Sequence, residues 1–222
     1  MAQALSLLAR LYPIAIVSGA SKERIEKQIV DRLNPEARAN LILYPTCGAA
    51  AFTFSNSLCC PLYELKLTGV EHKKIVSVLE RIVRESGLLQ GQKTYGPQIE
   101  FRGSQVTFSA LGQEAPYAEK SLWDTDKKKR LCLRERLMKE LPEFDIALGG
   151  TTSIDIVQKG IDKAYAVRHF AKHLGMEENE VCYVGDDLKE GGNDYIVATN
   201  TRALVRPVRD PRETLGFIRS FL

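Results

Sequence analysis

Residues 181–194 read Val-Cys-Tyr-Val-Gly-Asp-Asp-Leu-Lys-Glu-Gly-Gly-Asn-Asp. A short apolar run stops abruptly at a loop with four acids, three glycines and one asparagine. The run predicts a buried strand, and carboxylates at the C-terminal end of a strand in an α/β sheet sit where such folds place their chemistry. Glycine lets backbone approach a ligand closely. Oxygen donors of this kind suit Mg²⁺ better than Zn²⁺, because hard cations prefer oxygen. Acids flanking Gly-Gly-Asn are poor turn chemistry for a mere connection.

Gly185-Asp186-Asp187 with Gly191-Gly192-Asn193-Asp194 resembles the fourth motif of the haloacid dehalogenase superfamily, in the branch whose large cap is shared by sugar phosphatases and eukaryotic-type phosphomannomutases. The resemblance implies that Asp186 and Asp194 belong to a Mg²⁺ site, with Asn193 as a hydrogen-bond partner and Asp187 as a lesser member. Val17-Ser18-Gly19-Ala20-Ser21 is similar to the second motif. A hydroxyl and backbone N–H groups leading into a helix N-terminus make a phosphate cradle, in which Ser18 and Gly19 would act. On this segment alone an ordinary helix cap reads equally well. Lys163 matches the third motif, where a lysine neutralises crowded carboxylate and phosphate charge. A lysine at a helix start opposes the helix dipole, which favours a functional reason for it.

Two further segments, Ile99-Glu100-Phe101-Arg102 and Gly149 to Asp155, resemble the phosphomannomutase cap. By that resemblance Arg102, Ser153 and Asp155 face the substrate. Arg102 would grip a phosphate or carboxylate through its planar fork, and Asp155 would accept sugar hydroxyls. Where the mutase pattern continues with two more arginines, this chain has Gln113 and Lys120. A mutase holds two phosphates, so a neutral amide here favours a phosphatase. The family's nucleophile is the first aspartate of an Asp-x-Asp motif on the first core strand, and no such motif precedes Tyr12. The sequence therefore leads to a Mg²⁺-dependent phosphomonoester hydrolase for a small phosphorylated sugar or sugar acid, working through an aspartyl-phosphate. By the resemblance the nucleophile and the first core strand are expected to be missing from this chain, and the chain as written is expected to be inactive. The alternatives are a phosphomannomutase-like phosphotransferase and a non-catalytic sugar-phosphate binder.

These residues need a scaffold. Strand 13–17, helix 22–33 and strand 41–44 predict a βαβ unit with a parallel sheet. The middle changes character. A helix over 70–85, a hairpin of 98–102 and 105–109, a helix over 127–140 and strands at 147–148 and 154–157 predict an α+β module. The α/β pattern then returns, with a helix over 163–174, strand 181–184, a helical turn at 195–198, strand 203–205 and a helix over 212–221. The expected fold is an α/β core, residues 1–62 and 159–222, with an inserted α+β module at 63–158. The resemblance implies that this module caps the active site and allows a homodimer through it.

A formal charge of +3 across 222 residues gives no case for nucleic acid or membrane as the main partner. Lys127-Lys128-Lys129-Arg130 reads as a solvated helix face. Five cysteines in no metal-binding spacing fit a reducing cytoplasm, and Cys132 and Cys182 read as small core residues. His169 and His173, four apart, read as helix-surface residues without a third metal ligand.

Overall fold

The computed structural model describes residues 1–56 and 58–222, which form two units. The first comprises Met1–Glu64 and Ile161–Leu222, and the second Leu65–Gly160.

The chain opens with α1 (Ala2–Leu11), β1 (Ile14–Val17), α2 (Lys22–Gln28) and β2 (Leu41–Tyr44). β1 and β2 run parallel from Ile14↔Leu41 to Val17↔Tyr44, as the βαβ pattern requires. Helix α2 is shorter than predicted. After Gln28 the chain tightens into a 3₁₀ turn, Val30–Arg32, which turns Val30 and Leu33 together into the apolar core. A hairpin that the sequence did not signal, β3 (Ala50–Ser55) and β4 (Leu58–Glu64), extends the sheet in the order β1-β2-β3-β4. Most of β3 is buried, so it lacks the polar alternation that marks a half-exposed strand.

The second unit contains α3 (Gly69–Ser86), β5 (Ile99–Phe101), β6 (Gln105–Ser109), α4 (Tyr117–Trp123), α5 (Lys128–Glu140), β7 (Phe144–Gly149) and β8 (Ser153–Gln158). Its antiparallel sheet has the order β5-β6-β8-β7. Ile75, Leu79 and Ile82 of α3 and Leu133 and Leu137 of α5 pack on Val106, Phe108, Ile154 and Ile156. Two sequence expectations fail here. Arg130 is buried, not solvated: its Nε donates to Asp124 at 2.7 Å and its Nη1 to the carbonyls of Gly149 and Gly150. Cys132 is exposed, because α5 turns Leu133 and Leu137 inward instead.

The return leg is α6 (Lys163–Leu174), β9 (Cys182–Gly185), α7 (Tyr195–Asn200), β10 (Leu204–Pro207) and α8 (Pro211–Arg219). β9 pairs in parallel with β10, and among the described residues no hydrogen-bonded ladder joins this pair to the four-stranded sheet. β1 and β9 nevertheless share one apolar cluster with α6, through Ala15, Val17, Tyr183, Ala166, Val167 and Phe170. Among the described residues each is paired along one edge only, so β9 is not the fully buried strand expected: Cys182 is exposed, and β1 is half-buried throughout. Strands of a parallel sheet become buried only when neighbours and helices cover them. All five cysteines are free thiols, and no helix among the described residues is long and apolar enough to cross a membrane.

Candidate functional site

The first unit gathers its candidate residues at the C-terminal ends of β1, β2 and β9. Ser18 follows β1, and its N–H donates to the Tyr44 carbonyl at the end of β2 (3.0 Å). Its Oγ accepts the Ala20 N–H (3.1 Å), a hydroxyl turn that leaves the O–H hydrogen unspent on protein among the described residues. Ser21 caps α2 through the Arg24 N–H. The loop after β2 holds this turn in place. Cys47 N–H donates to Ser18 O and Thr46 N–H to Ala20 O. Thr46, Cys47 and Gly48 all have left-handed φ, at 50°, 59° and 96°. Gly48 has to be glycine: a Cβ there would lie 2.9 Å from the carbonyl of Asp162, the N-cap of α6. Sequence reasoning missed this loop, whose one signal was the Pro-Thr-Cys-Gly string after an apolar strand.

Lys163 opens α6, and Asp162 caps that helix by accepting the Tyr165 N–H. Lys163 Nζ donates to Asp194 Oδ1 (2.6 Å) and to Asn193 Oδ1 (3.0 Å). Tyr183, on β9, donates its hydroxyl to the same Asp194 oxygen at 2.5 Å. Asp194 Oδ2 accepts the Asp187 N–H, and the Asp187 carboxylate accepts the Asn193 N–H. Asp194 is buried, 2% exposed. Burial pushes its carboxyl upward, but the Lys163 charge and hydrogen bond, the Tyr183 hydroxyl and the Asp187 N–H together hold it below the usual carboxylate range. Burial beside Asp194 drives the Tyr183 hydroxyl far up, so it stays a donor. Gly185 makes room: a Cβ would lie 2.6 Å from Asp194 Oδ2 and 2.9 Å from the Tyr183 ring. Asp186, at the end of β9, is exposed.

In the second unit, Asp155 on β8 lies across from Thr107 on β6. Its Oδ1 accepts from Thr107 Oγ1 and Gln105 Nε2, both at 2.8 Å. Arg102 Nη2 donates to Glu100 at 2.6 Å. Lys120 Nζ donates to the Gln113 carbonyl at 2.9 Å, while the buried Gln113 Nε2 has no hydrogen-bond partner among the described residues. Ser153 is half-buried at the start of β8, opposite Ser109. Gln105 and Thr107 were missed in the sequence. Their signal was alternation: polar Gln105, Thr107 and Ser109 interleave with apolar Val106 and Phe108, yet all five are buried.

The eukaryotic phosphomannomutase family matches this chain over residues 1–222. The chain belongs to that family. Phosphomannomutase from Saccharomyces cerevisiae is 27% identical over 176 residues, which is 77% of this chain and 67% of that protein. The spinach phosphomannomutase is 24% identical over 218 residues, 94% of this chain and 82% of its own length. The Drosophila melanogaster protein is 28% identical over 132 residues, 57% of this chain and 51% of that one. Among solved structures, the N-terminally truncated, IMP-bound Plasmodium falciparum IMP-nucleotidase superposes with a TM-score of 0.67 at 16% identity, over 98% of this chain and 60% of that one. A trehalose-6-phosphate phosphatase related protein gives 0.51 at 18% identity, over 98% and 85%. These likenesses show the haloacid dehalogenase fold. The chain spans 60% of the nucleotidase and about half of the fruit-fly relative.

Within this phosphomannomutase-family chain, no three His, Cys, Asp or Glu side chains converge as a metal cluster among the described residues. The donor chemistry still suits a hard cation, because Mg²⁺ needs only one or two carboxylates beside water and phosphate oxygens. Asp186 is an exposed carboxylate at the strand end of the loop (Glu190 is the other), whereas Asp194 already carries three donors. The family's Asp-x-Asp has one formal match in the second unit, Asp124-Thr125-Asp126. Asp124 is buried and its carboxylate is taken up by Arg130. His169 is not a plain surface residue either, since its Nδ1 is 2.8 Å from the Tyr44 hydroxyl.

Proposed function

We propose that this chain binds a small phosphorylated sugar or sugar acid, and that a form carrying an Asp-x-Asp strand is a Mg²⁺-dependent phosphomonoester hydrolase. The observation that carries the reading is the Lys163–Asp194–Asn193 cluster. Lysine has three N–H donors, and Lys163 spends two on Asp194 and Asn193. The third has no protein partner among the described residues and suits an anion. Ser18, with its unspent O–H, and Gly19 at the end of β1 are the partners we assign to a phosphoryl group. Asp186 would hold Mg²⁺, supported by Asp187, Asn193 and Asp194, and the ion would offset charge on the transferring group. Phosphoryl transfer asks a protein mainly for positioning and charge, and this loop is built for both. In this reading the nucleophile is not supplied by the described residues: Ser18 Oγ is bonded only to the Ala20 N–H among them, and Asp194 already takes three donors.

Arg102, Ser153, Asp155, Gln113 and Lys120 are assigned to sugar recognition. A second reading, a phosphomannomutase-type transferase, is favoured by the family match. Gln113 argues against it, because its buried, unpartnered amide suits a neutral hydroxyl better than a second phosphate. The test is isothermal titration of the chain with mannose 1-phosphate, beside phosphate-release and isomerisation assays of a form extended upstream with Asp-x-Asp. Binding that Lys163→Met removes, release without isomerisation in the extended form, and no release by residues 1–222 are expected. Equal Mg²⁺-dependent release by both forms, abolished in both by Asp186→Asn, would show that the chain has its own nucleophile.

A further inference from the structure

Tyr183 was not among the residues that sequence reasoning assigned to the site. Its hydroxyl and Lys163 Nζ both donate to one oxygen, Asp194 Oδ1, at 2.5 and 2.6 Å. A carboxylate oxygen offers two lone pairs, so Oδ1 is saturated by these two donors. Oδ2 faces the Asp187 N–H on the other side. We propose that Tyr183 is a positioning residue of the phosphate site: by donating to Asp194 Oδ1, with the Asp187 N–H on Oδ2, it fixes the plane of the carboxylate so that Lys163 bonds Oδ1 alone, spends one N–H there and keeps one for a bound anion.

Without the hydroxyl the carboxylate is free to turn and offer both oxygens to the ammonium, which then spends a second N–H on it, because charge-assisted bonds are the strong ones. The packing makes the arrangement rigid. The Tyr183 ring lies in the apolar cluster with α6, the helix that carries Lys163, and the ring and Asp194 Oδ2 both close on Gly185, 2.9 and 2.6 Å from where a Cβ would stand. Asn193 takes the second N–H of Lys163 at 3.0 Å. The geometry thus sets the number of donors that Lys163 presents, rather than its charge.

This inference rests on the anion-site reading above. The test is isothermal titration with inorganic phosphate on the wild-type chain, Tyr183→Phe and Lys163→Met, with ¹⁵N spectra of the lysine ammonium groups. Tyr183→Phe is expected to weaken phosphate binding by roughly three- to tenfold and to shift the Lys163 ammonium signal, while Lys163→Met removes binding. Wild-type binding that Lys163→Met leaves intact would overturn the anion-site reading itself, and this proposal with it. Wild-type binding lost in Lys163→Met but unchanged in Tyr183→Phe, with an unmoved ammonium signal, would overturn the role of Tyr183 alone. Should Tyr183→Phe fail to fold, the wild-type protein decides: a slowly exchanging, downfield tyrosine hydroxyl proton supports the bond to Asp194, and its absence refutes the proposal.

Discussion

Asp194→Asn removes one oxygen and one charge from the most buried part of the candidate site. The side chains of Asp194 and Lys163 are 3% and 13% exposed. Both Asp194 oxygens face donors only: Lys163 and Tyr183 on Oδ1, the Asp187 N–H on Oδ2. However an asparagine turns, its NH₂ meets a donor. Breaking one partner of a buried ion pair costs about 3–5 kcal/mol, because the other charge remains desolvated. At about 2–4 °C per kcal/mol for a chain of this size, the melting temperature is expected to fall by roughly 6–20 °C at pH 7. Lys163→Met should cost less, since Asp194 keeps Tyr183 and the Asp187 N–H. The double variant should lose at least about 1 kcal/mol less than the sum of the singles, as coupled neighbours do. The sign with pH follows from linkage. Asp194 is held below its ordinary value near 3.8, so its contribution is present above that pH and fades as pH falls through the lowered value. The wild-type advantage over Asp194→Asn should therefore shrink in acid. The assay is thermal unfolding by circular dichroism from pH 3 to 8. An Asp194→Asn loss below about 1 kcal/mol at pH 7, or strict additivity in the double variant, would refute the coupled cluster.

Arg130→Met should destabilise the second unit by about 3–5 kcal/mol by stranding Asp124, and adding Asp124→Leu should recover part of it; denaturant melts of the two variants check this. Gly185→Ala forces a methyl against Asp194 and Tyr183 and should cost about 1–3 kcal/mol, read as a lower melting temperature with weaker phosphate binding. In a form carrying an Asp-x-Asp strand, Arg102→Ala and Asp155→Ala should lower kcat/KM for sugar phosphates several-fold more than for p-nitrophenyl phosphate, and equal losses would remove the sugar-recognition assignment.

Much of this architecture was legible in local sequence. Helix α6 begins and ends where its Asp162 cap and Gly175 stop place it, because capping chemistry is local. The hairpin of β5 and β6 and the parallel pairing of β1 with β2 follow from alternation and spacing, which reflect burial in simple layers. The acidic loop was legible because glycines and carboxylates crowd together there. What only tertiary structure decided concerns residues whose partners are distant in the chain. Arg130 looked like surface charge until Asp124 and the Gly149-Gly150 turn enclosed it. Strand β3 lost its alternation because its neighbours bury it. Cys182 looked like core, but a strand paired on one side leaves it exposed. Tyr183 read as one more apolar strand residue, and its meaning depends on Asp194 and Lys163 meeting it from a loop and a helix. A side chain's type is set by sequence, but the donor that reaches it, and the water that does not, are set by packing.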